Sequence, residues 1–345
     1  MQRSAANNPA RQRAKETNMT SRLVKAVVRA GLLCASASLC AQAQTYPGKT
    51  VTVIVPFAAG GPTDTVARLV AQSMGNTLKQ QLIIENVGGA GGTIGAARAA
   101  KAAPDGYTLF LHNIGQSTAP ALYRKLSYDT FSSFEPIGMI ADVPMTLVAR
   151  EDFPAKDLKE LLAHVKANKD KVTYANAGLG SASHLCGMLF MSAIETDLTT
   201  VPYKGTGPAM NDLLGKQVDL MCDQSTNTTS QIKSGKIKAY AVTTKTRLSS
   251  MPTIPTMNEA GLPGFEVAVW HGLYAPKGTP KPVIDALNKA LKVALKDPTV
   301  KERFEALGTE PVAENRATPE ALQAHLKSEI DKWSPIIKKA GVYAD

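Results

Sequence analysis

The chain has 345 residues, of which 44% are hydrophobic, and its formal net charge at pH 7 is +10. Residues 1–43 hold seven Lys/Arg and one Asp/Glu, so the remainder carries a net charge of only +4. That remainder has no basic run with interleaved aromatic residues, which argues against nucleic acid as a partner. Its length of about 300 residues is too much for one ordinary core and predicts two domains.

The N-terminus has the pattern of an export signal. Basic residues precede an apolar run at Ala30–Cys40, and the small-x-small triplet at 41–43 is typical of a signal-peptidase site. We therefore predict a signal peptide at residues 1–43, with 1–18 as an upstream extension, and an exported mature protein. A lipid anchor on the last cysteine of the run is less favoured, because Leu39 precedes it.

The first strand after the leader, Val51–Val55, ends in a Gly-Gly-Pro loop and leads into a helix. Apolar residues recur at helical spacing over 65–78, with Thr63 as the expected N-cap and Asp64 in the first turn. The first N–H groups of a helix lack partners and its N-terminus is partly positive, so a carboxylate or phosphate is favoured at residues 60–63. A plain tight turn is the alternative.

Strand-like and helical patterns alternate along the rest of the chain, which indicates parallel α/β sheets. We predict strands at 51–55, 82–85, 107–111, 146–149, 172–176, 201–203, 218–222 and 238–243. We predict helices at 65–78, 93–102, 158–168, 183–194, 208–214, 228–234, 282–295, 298–307 and 319–340.

Cys186 and Cys222 are the two cysteines that remain after the leader. An even pair in an exported protein is a candidate disulfide, and neither cysteine lies in a metal-binding spacing. The bridge would join the predicted helix 183–194 to the end of the strand 218–222. Two buried free thiols are the alternative.

Motifs of catalysis and of cofactor binding are absent from the sequence. There is no Gly-x-Ser-x-Gly elbow, no His-Glu-x-x-His and no Walker loop, and the glycines of 88–95 fail the dinucleotide-binding spacing. The five histidines include no pair at i, i+3 or i, i+4. We therefore expect no enzyme activity, no cofactor and no metal. The competing enzyme hypothesis is an exported hydrolase that uses Ser181 or Ser183 with His184.

Several motifs follow one another along residues 46–345: Val55-Pro-Phe-Ala-Ala-Gly-Gly-Pro-Thr-Asp64, Gly88-Gly-Ala-Gly-Gly92, Ala103-Pro-Asp-Gly-Tyr-Thr-Leu109, Ala175-Asn-Ala-Gly178, Val201-Pro-Tyr-Lys-Gly205, Glu259-Ala-Gly-Leu-Pro-Gly-Phe265 and Ala275-Pro-Lys-Gly-Thr279. In this order they resemble the Bug/TctC family, the extracytoplasmic solute receptors of tripartite tricarboxylate transporters. The resemblance implies a type II periplasmic binding protein, in which two α/β domains enclose a ligand cleft.

The resemblance also implies that the chain crosses twice between the domains. We expect the first crossing at 143–150 and the return at 265–276. Domain 1 would then comprise 46–145 plus 270–345, and domain 2 would comprise 146–269. Closure about two crossing strands is a hinge motion that a ligand favours by contacting both domains.

Two loops are the main candidate contacts for the ligand. In the first, the resemblance implies backbone N–H groups for a carboxylate and an apolar wall, from Phe57, Ala58, Gly60, Gly61, Thr63 and Asp64. The second loop contributes Gly180, Ser181, Ala182, Ser183 and His184. Ser181 is expected to cap the following helix, which would leave the N–H groups of Ser181 and Ala182 free for an anion. A packing role for His184 is equally favoured.

Four further candidates follow other predicted strands. Asn113 and Gln116 would bond the ligand or stabilise their own loop, and Lys204 lies at a strand end. Asp223 would repel an acidic ligand unless it bonds an amine, a hydroxyl or a backbone N–H.

Together these features predict a monomeric binding protein that captures a small organic acid and delivers it to the permease subunits of a tripartite tricarboxylate transporter. An orphan receptor that presents its ligand to a sensor protein is a second alternative beside the hydrolase. The sequences of the loops do not indicate whether the ligand is citrate, another di- or tricarboxylate, an aromatic acid, an amino acid or a nicotinate-type compound.

Overall fold

The computed structural model describes residues 46–341 and 343–344. The predicted signal peptide, residues 1–43, lies outside the described residues. Within the described part of the chain, no helix combines the length and the apolar character that crossing a membrane requires.

The described residues form alternating strands and helices. Strands β1 to β10 are, in chain order, Val51–Val55, Leu82–Asn86, Thr108–Asn113, Phe134–Arg150, Thr173–Asn176, Thr199–Pro202, Leu220–Gln224, Ile237–Val242, Ala268–Pro276 and Glu310–Pro311. Helices α1 to α10 are Pro62–Leu78, Thr93–Ala100, Gly115–Leu122, Leu158–Ala167, Ala182–Ala193, Thr206–Leu214, Ser225–Lys233, Lys281–Lys296, Pro298–Ala306 and Pro319–Ala340. Each element predicted from the sequence is present, but β4 begins far before the predicted 146–149.

Two parallel groups of strands are joined by long antiparallel ones. The strand order is β2-β1-β3-β9-β4-β7-β5-β6, and β8 and β10 also pair with β4. β1 is parallel to β2 and β3, whereas β5 is parallel to β6 and β7. The 17-residue β4 pairs with β9 along its first part and with β7 and β8 along its second part. Thus β4 belongs to both groups.

The core is formed by strands that are buried on both faces and by amphipathic helices. In α8, the buried Ile284, Leu287, Leu291 and Leu295 recur at helical spacing. Each such side chain stabilises the fold by about 1.5–3 kcal/mol. The loops that follow the carboxyl ends of β1, β5, β6 and β7 each lead directly into a helix, which is the edge at which open α/β sheets bind ligands.

Cys186 and Cys222 are bonded to each other in the structure. Their Sγ atoms are 1.96 Å apart and their Cα atoms are 6.1 Å apart. Both residues are buried. The bridge connects α5 to β7 and so ties a helix that starts at the cavity described below to the strand that ends there.

Removal of this bridge tests its contribution to stability. The Cys186→Ser/Cys222→Ser double variant should lose about 3–4 kcal/mol of unfolding free energy, because the bridge constrains an unfolded loop with a sequence separation of 36. Denaturant unfolding of leader-free protein measures this loss, and reduced wild-type protein is the control that should match the variant. A mass for the oxidised protein that accounts for two free thiols would contradict the bridge.

Candidate anion-binding site

A small cavity lies at the strand ends where four helices begin. The space in it that can hold the centre of a water-sized sphere is about 20 Å³, which is room for about one water molecule. Its lining consists of Phe57, Pro62, Thr63, Asn113, Ala177, Ser181, Ala182, Ser183, Thr206, Asp223 and Gln224. A larger groove elsewhere contains Arg247 and Lys296, but these cations are already paired with Glu259 and Glu314.

The N-termini of α1, α5, α6 and α7 all contribute residues to the cavity lining. Each N-terminus carries roughly half a positive charge and N–H groups without partners inside the helix. None of the described lining residues is Lys or Arg. The site therefore favours an anion through backbone groups, in the way that helix N-termini bind carboxylates and phosphates.

Thr63 is not the N-cap of α1, and that prediction was wrong. Gly61 is the N-cap and Pro62 is the first helical residue, where the missing N–H of proline costs no hydrogen bond. Thr63 lies one position later, so its N–H has no acceptor within the helix. Its hydroxyl accepts a hydrogen bond from Nδ2 of Asn113 at 3.1 Å and lies 3.4 Å from Nε2 of His271.

Asp64 braces the first loop and is not part of the cavity lining. Its Oδ2 accepts hydrogen bonds from the Gly60 N–H at 3.0 Å and from Nε of Arg68 at 2.9 Å. Its Oδ1 accepts one from Nδ2 of Asn86 at 3.0 Å. Burial raises the pKa of Asp64, but these hydrogen bonds outweigh burial and the net pKa is lowered. Gly60 is exposed, and its N–H is already used.

Ala58 and Lys204 bond to each other and do not line the cavity. The Ala58 N–H donates to the Lys204 carbonyl oxygen at 3.0 Å, and the Lys204 residue is exposed. The expectation that the Ala58 N–H serves the ligand was therefore wrong. Instead, this bond connects the loop before α1 to the loop before α6.

Ser181 caps α5 as predicted, since its Oγ accepts a hydrogen bond from the His184 N–H at 3.2 Å. The Ser181 N–H, however, donates to the Gly178 carbonyl oxygen at 3.1 Å. The prediction that this N–H is free for an anion was wrong. Ala182 is the first residue of α5 and lines the cavity. Its N–H, which has no acceptor within the helix, remains available.

His184 packs beside this loop as a neutral side chain. It is buried, and its Nδ1 accepts a hydrogen bond from the Gly180 N–H at 3.3 Å. Burial lowers the pKa of His184 to about 4, so the ring offers no positive charge to an acid at pH 7. Among the described residues the ring bonds to neither serine hydroxyl. The contacts therefore favour packing, and they do not resemble an activated serine.

Gln116 does not line the cavity, because its side chain bonds to Thr130 instead. It is fully buried, and its Nε2 donates to the Thr130 carbonyl oxygen at 2.8 Å. Asn113, by contrast, lines the cavity. Of the two candidates after β3, only Asn113 is placed where it can contact a ligand.

Two buried oxygen atoms in the lining have no hydrogen-bond partner in the part of the chain that the structure describes. Asp223 Oδ2 accepts from Nδ2 of Asn227 at 2.5 Å, whereas Asp223 Oδ1 and Gln224 Oε1 have no partner among the described residues. Burial raises the pKa of Asp223 to about 6, although hydrogen bonds from Asn227, Gln224 and Thr206 oppose this shift. Because buried polar atoms are nearly always bonded, these two oxygens point to a ligand that brings hydrogen-bond donors.

Four lining residues were not among the predicted contacts: Pro62, Ala177, Thr206 and Gln224. Each lies at or beside a junction between a strand and a helix. Thr206 begins α6 and Gln224 is the N-cap of α7. The sequence showed where these junctions lie along the chain. It did not show which of them come together in the fold.

Two parallel α/β strand groups, joined by crossing strands and enclosing a cavity between helix N-termini, define a type II periplasmic binding protein. A sequence profile described as "Tripartite tricarboxylate transporter family receptor" matches residues 66–342. The chain belongs to this family.

Similar proteins agree with this assignment. The chain is 52% identical over 332 residues to the "UPF0065 protein in the TAR-I ttuE-ttuC' intergenic region" of Agrobacterium vitis, covering 96% of this chain and 95% of that one. The solved structure of periplasmic binding protein BugD is 57% identical, with a TM-score of 0.85, and covers 86% of this chain and 99% of its own.

Two further structures were solved with acids bound. MatC of Rhodopseudomonas palustris, with bound malate, is 43% identical with a TM-score of 0.82 over 85% of this chain and 100% of its own. R. palustris Rpa4515, with adipate, is 33% identical with a TM-score of 0.82 over 86% of this chain and 99% of its own. Both bound molecules are dicarboxylates.

The raised pKa of Asp223 predicts a pH-dependent stability. The folded pKa of about 6 exceeds the ordinary 3.8, so folding takes up a proton and the unfolding free energy falls as pH rises from about 4 to about 6. Asp223→Asn removes this titration. The unfolding free energy of the variant minus that of wild type should therefore rise by about 3 kcal/mol across the window.

Urea unfolding of ligand-free, leader-free protein at several pH values measures this difference. Asp331→Asn, at an exposed position of α10, is the control for general effects of charge removal. A difference between Asp223→Asn and wild type that stays constant from pH 4 to pH 7 would contradict the raised pKa.

Proposed function

We propose that this protein captures a small organic acid in the cavity and delivers it to the membrane subunits of a tripartite tricarboxylate transporter. It binds its ligand without converting it, acts as a monomer, and works in the periplasm after its leader is removed. The proposal depends on one observation: the N-termini of four helices contribute to the lining of one small cavity. None of the described residues that line this cavity is lysine or arginine.

The energetics of such a site are sufficient for a receptor. Hydrogen bonds to a charged group contribute about 1.5–3 kcal/mol each. Two or three of them contribute about 3–9 kcal/mol in total, and apolar contact with Phe57 adds to this. Micromolar affinity corresponds to about 8 kcal/mol. The malate and the adipate bound in two similar structures support a small organic acid as the class of ligand.

The acid that fits best also carries a hydrogen-bond donor. Asp223 Oδ1 and Gln224 Oε1 are buried acceptors without partners in the described chain. A hydroxyl group on the ligand would donate to one of them, and an ammonium group would donate to both. This donor group of the ligand would also offset the repulsion between Asp223 and the ligand carboxylate. We therefore expect hydroxy or amino acids to bind more tightly than unsubstituted acids of the same length.

The cavity is proposed to lie between two lobes: lobe 1, residues 46–145 plus 270–345, and lobe 2, residues 146–269. β4 and β9 would form the hinge. The bond from the Ala58 N–H to the Lys204 carbonyl oxygen then joins the lobes directly, so the structure corresponds to the closed form. The disulfide within lobe 2 suits an oxidising compartment such as the periplasm.

The alternatives have less support. An exported hydrolase would need His184 to activate Ser181 or Ser183, and that ring instead accepts a hydrogen bond from the Gly180 N–H. An orphan receptor for a sensor protein would use the same cavity and would differ only in its partner.

A panel of acids tests the proposed function. Refolded, ligand-stripped protein is mixed with unsubstituted, hydroxy and amino mono- and dicarboxylates of matched length, and the thermal unfolding midpoint is measured. A ligand at 100 times its Kd should add about 2.7 kcal/mol of stability. At least one acid should raise the midpoint, and hydroxy or amino acids should raise it most. Matched amines without a carboxylate are the control, and a panel without any shift would contradict the proposal.

Closure is tested at Gly91, where the backbones of the two proposed lobes lie close together. Its φ is +61°, and an added Cβ would lie 1.9 Å from the Leu179 carbonyl oxygen. Gly91→Ala should therefore hold the lobes apart and raise the Kd of the best acid about tenfold or more, a loss of about 1.4 kcal/mol.

Gly235→Ala is the matched control, because Gly235 has a similar φ of +70° but nothing within 4 Å of an added Cβ. This variant carries the same kind of backbone strain without the clash, and its Kd should stay within about twofold of wild type. Equal weakening by both substitutions would mean that strain, and not lobe closure, explains the effect.

A further inference from the structure

Two hydroxyl groups on and beside α3 bond to the loop that precedes α5. Thr118 Oγ1 donates to the Gly180 carbonyl oxygen at 2.9 Å, and the Tyr123 hydroxyl donates to the Leu179 carbonyl oxygen at 2.9 Å. A carbonyl oxygen can only accept a hydrogen bond, so the hydroxyl is the donor in both contacts. Thr118 Oγ1 also lies 3.3 Å from the Gly115 carbonyl oxygen of its own helix, and the shorter distance assigns its proton to Gly180.

The loop that accepts these bonds continues directly into the cavity lining. Leu179 and Gly180 are followed by Ser181, the N-cap of α5, and by Ala182, the first residue of that helix. Both Ser181 and Ala182 line the cavity. A displacement of the loop away from α3 therefore also displaces one of the four helix N-termini at the cavity.

The two donors belong to proposed lobe 1, whereas the loop belongs to proposed lobe 2. Within lobe 1, α3 packs against α10, and the Ala344 N–H donates to the Leu122 carbonyl oxygen at the end of α3 at 2.9 Å. Gly91 of the same lobe leaves space for the contact: an added Cβ there would lie 1.9 Å from the Leu179 carbonyl oxygen and 3.1 Å from the Tyr123 hydroxyl. The donors are thus fixed to one lobe and reach across to the other.

We propose that Thr118 and Tyr123, bonded to the carbonyl groups of Gly180 and Leu179, form a latch between the lobes, and that this latch must break before the ligand leaves. This inference rests on the proposed function. Neither donor lines the cavity, so both are positioning residues that act through the loop before α5. The free space in the closed cavity is only about 20 Å³, so a ligand enters or leaves after the lobes separate. In the open form water bonds the same groups, so the latch favours the closed form by the net contribution of two hydrogen bonds.

The first test measures the rate at which the ligand is released. Stopped-flow tryptophan fluorescence of leader-free protein gives the association and dissociation rate constants of the best acid from the panel. Tyr123→Phe and Thr118→Val should each raise the dissociation rate constant about three- to tenfold, and the double variant about 10- to 50-fold. The association rate constant should stay within about threefold of wild type, because the latch forms after the ligand has entered.

Tyr46→Phe and Thr279→Val are the matched controls. They remove hydroxyls that also donate to backbone carbonyl oxygens, but within lobe 1: Tyr46 bonds to Gly106 at 2.6 Å and Thr279 bonds to Pro276 at 2.7 Å. Their dissociation rate constants should stay within about twofold of wild type. Unchanged release by the double variant, equal acceleration by the controls, or a loss confined to association would overturn the inference.

The second test needs no ligand. Spin labels are attached at Lys125→Cys and Lys204→Cys, two exposed positions in different lobes, and pulsed electron double resonance measures the distances between them. The Thr118→Val/Tyr123→Phe background should populate longer distances than the wild-type background, because it lacks the bonds that hold the lobes together. Identical distance distributions would overturn the inference. Wild-type protein that binds no acid would contradict the proposed function, and the distances would still decide whether the latch exists.

Discussion

Four helix N-termini at one cavity are the constraint on which the rest of the site depends. Their first N–H groups are buried, and a buried donor without a partner costs about 1–3 kcal/mol. In the proposed function, the carboxylate of the ligand satisfies several of these donors at once. The site therefore needs no arginine or lysine. Arg68 of α1 instead forms an ion pair with Asp64 of the same helix.

Backbone groups and side chains have different roles at this cavity. In the proposed function, backbone N–H groups supply the attraction for a negative charge, while Asp223 and Gln224 select the other groups that the ligand carries. Asp223 has one oxygen bonded to Asn227 and the other without a partner in the described chain. Such a carboxyl group rejects a second carboxylate and accepts a donor.

Much of the fold could be predicted from the sequence because its signals are local. The apolar run of β1, the helical spacing of α1 and the cap at Ser181 involve residues within a few positions of one another. The first part of β4 was missed, since Pro136, Gly138 and Pro144 interrupt its pattern. The site was predicted less well, because the partners that redirect Gln116 and Ala58 are Thr130 and Lys204. Contacts with distant residues leave no periodic signal in the chain.

A crystal structure of the complex with the acid that binds most tightly tests the central claim most directly. The account predicts a carboxylate in the cavity, with its oxygens about 3 Å from the N–H groups of Thr63 and Ala182. It also predicts the lobes in contact as in the present structure. A carboxylate held mainly by lysine or arginine side chains, or bound in the groove beside Arg247 and Lys296, would contradict it.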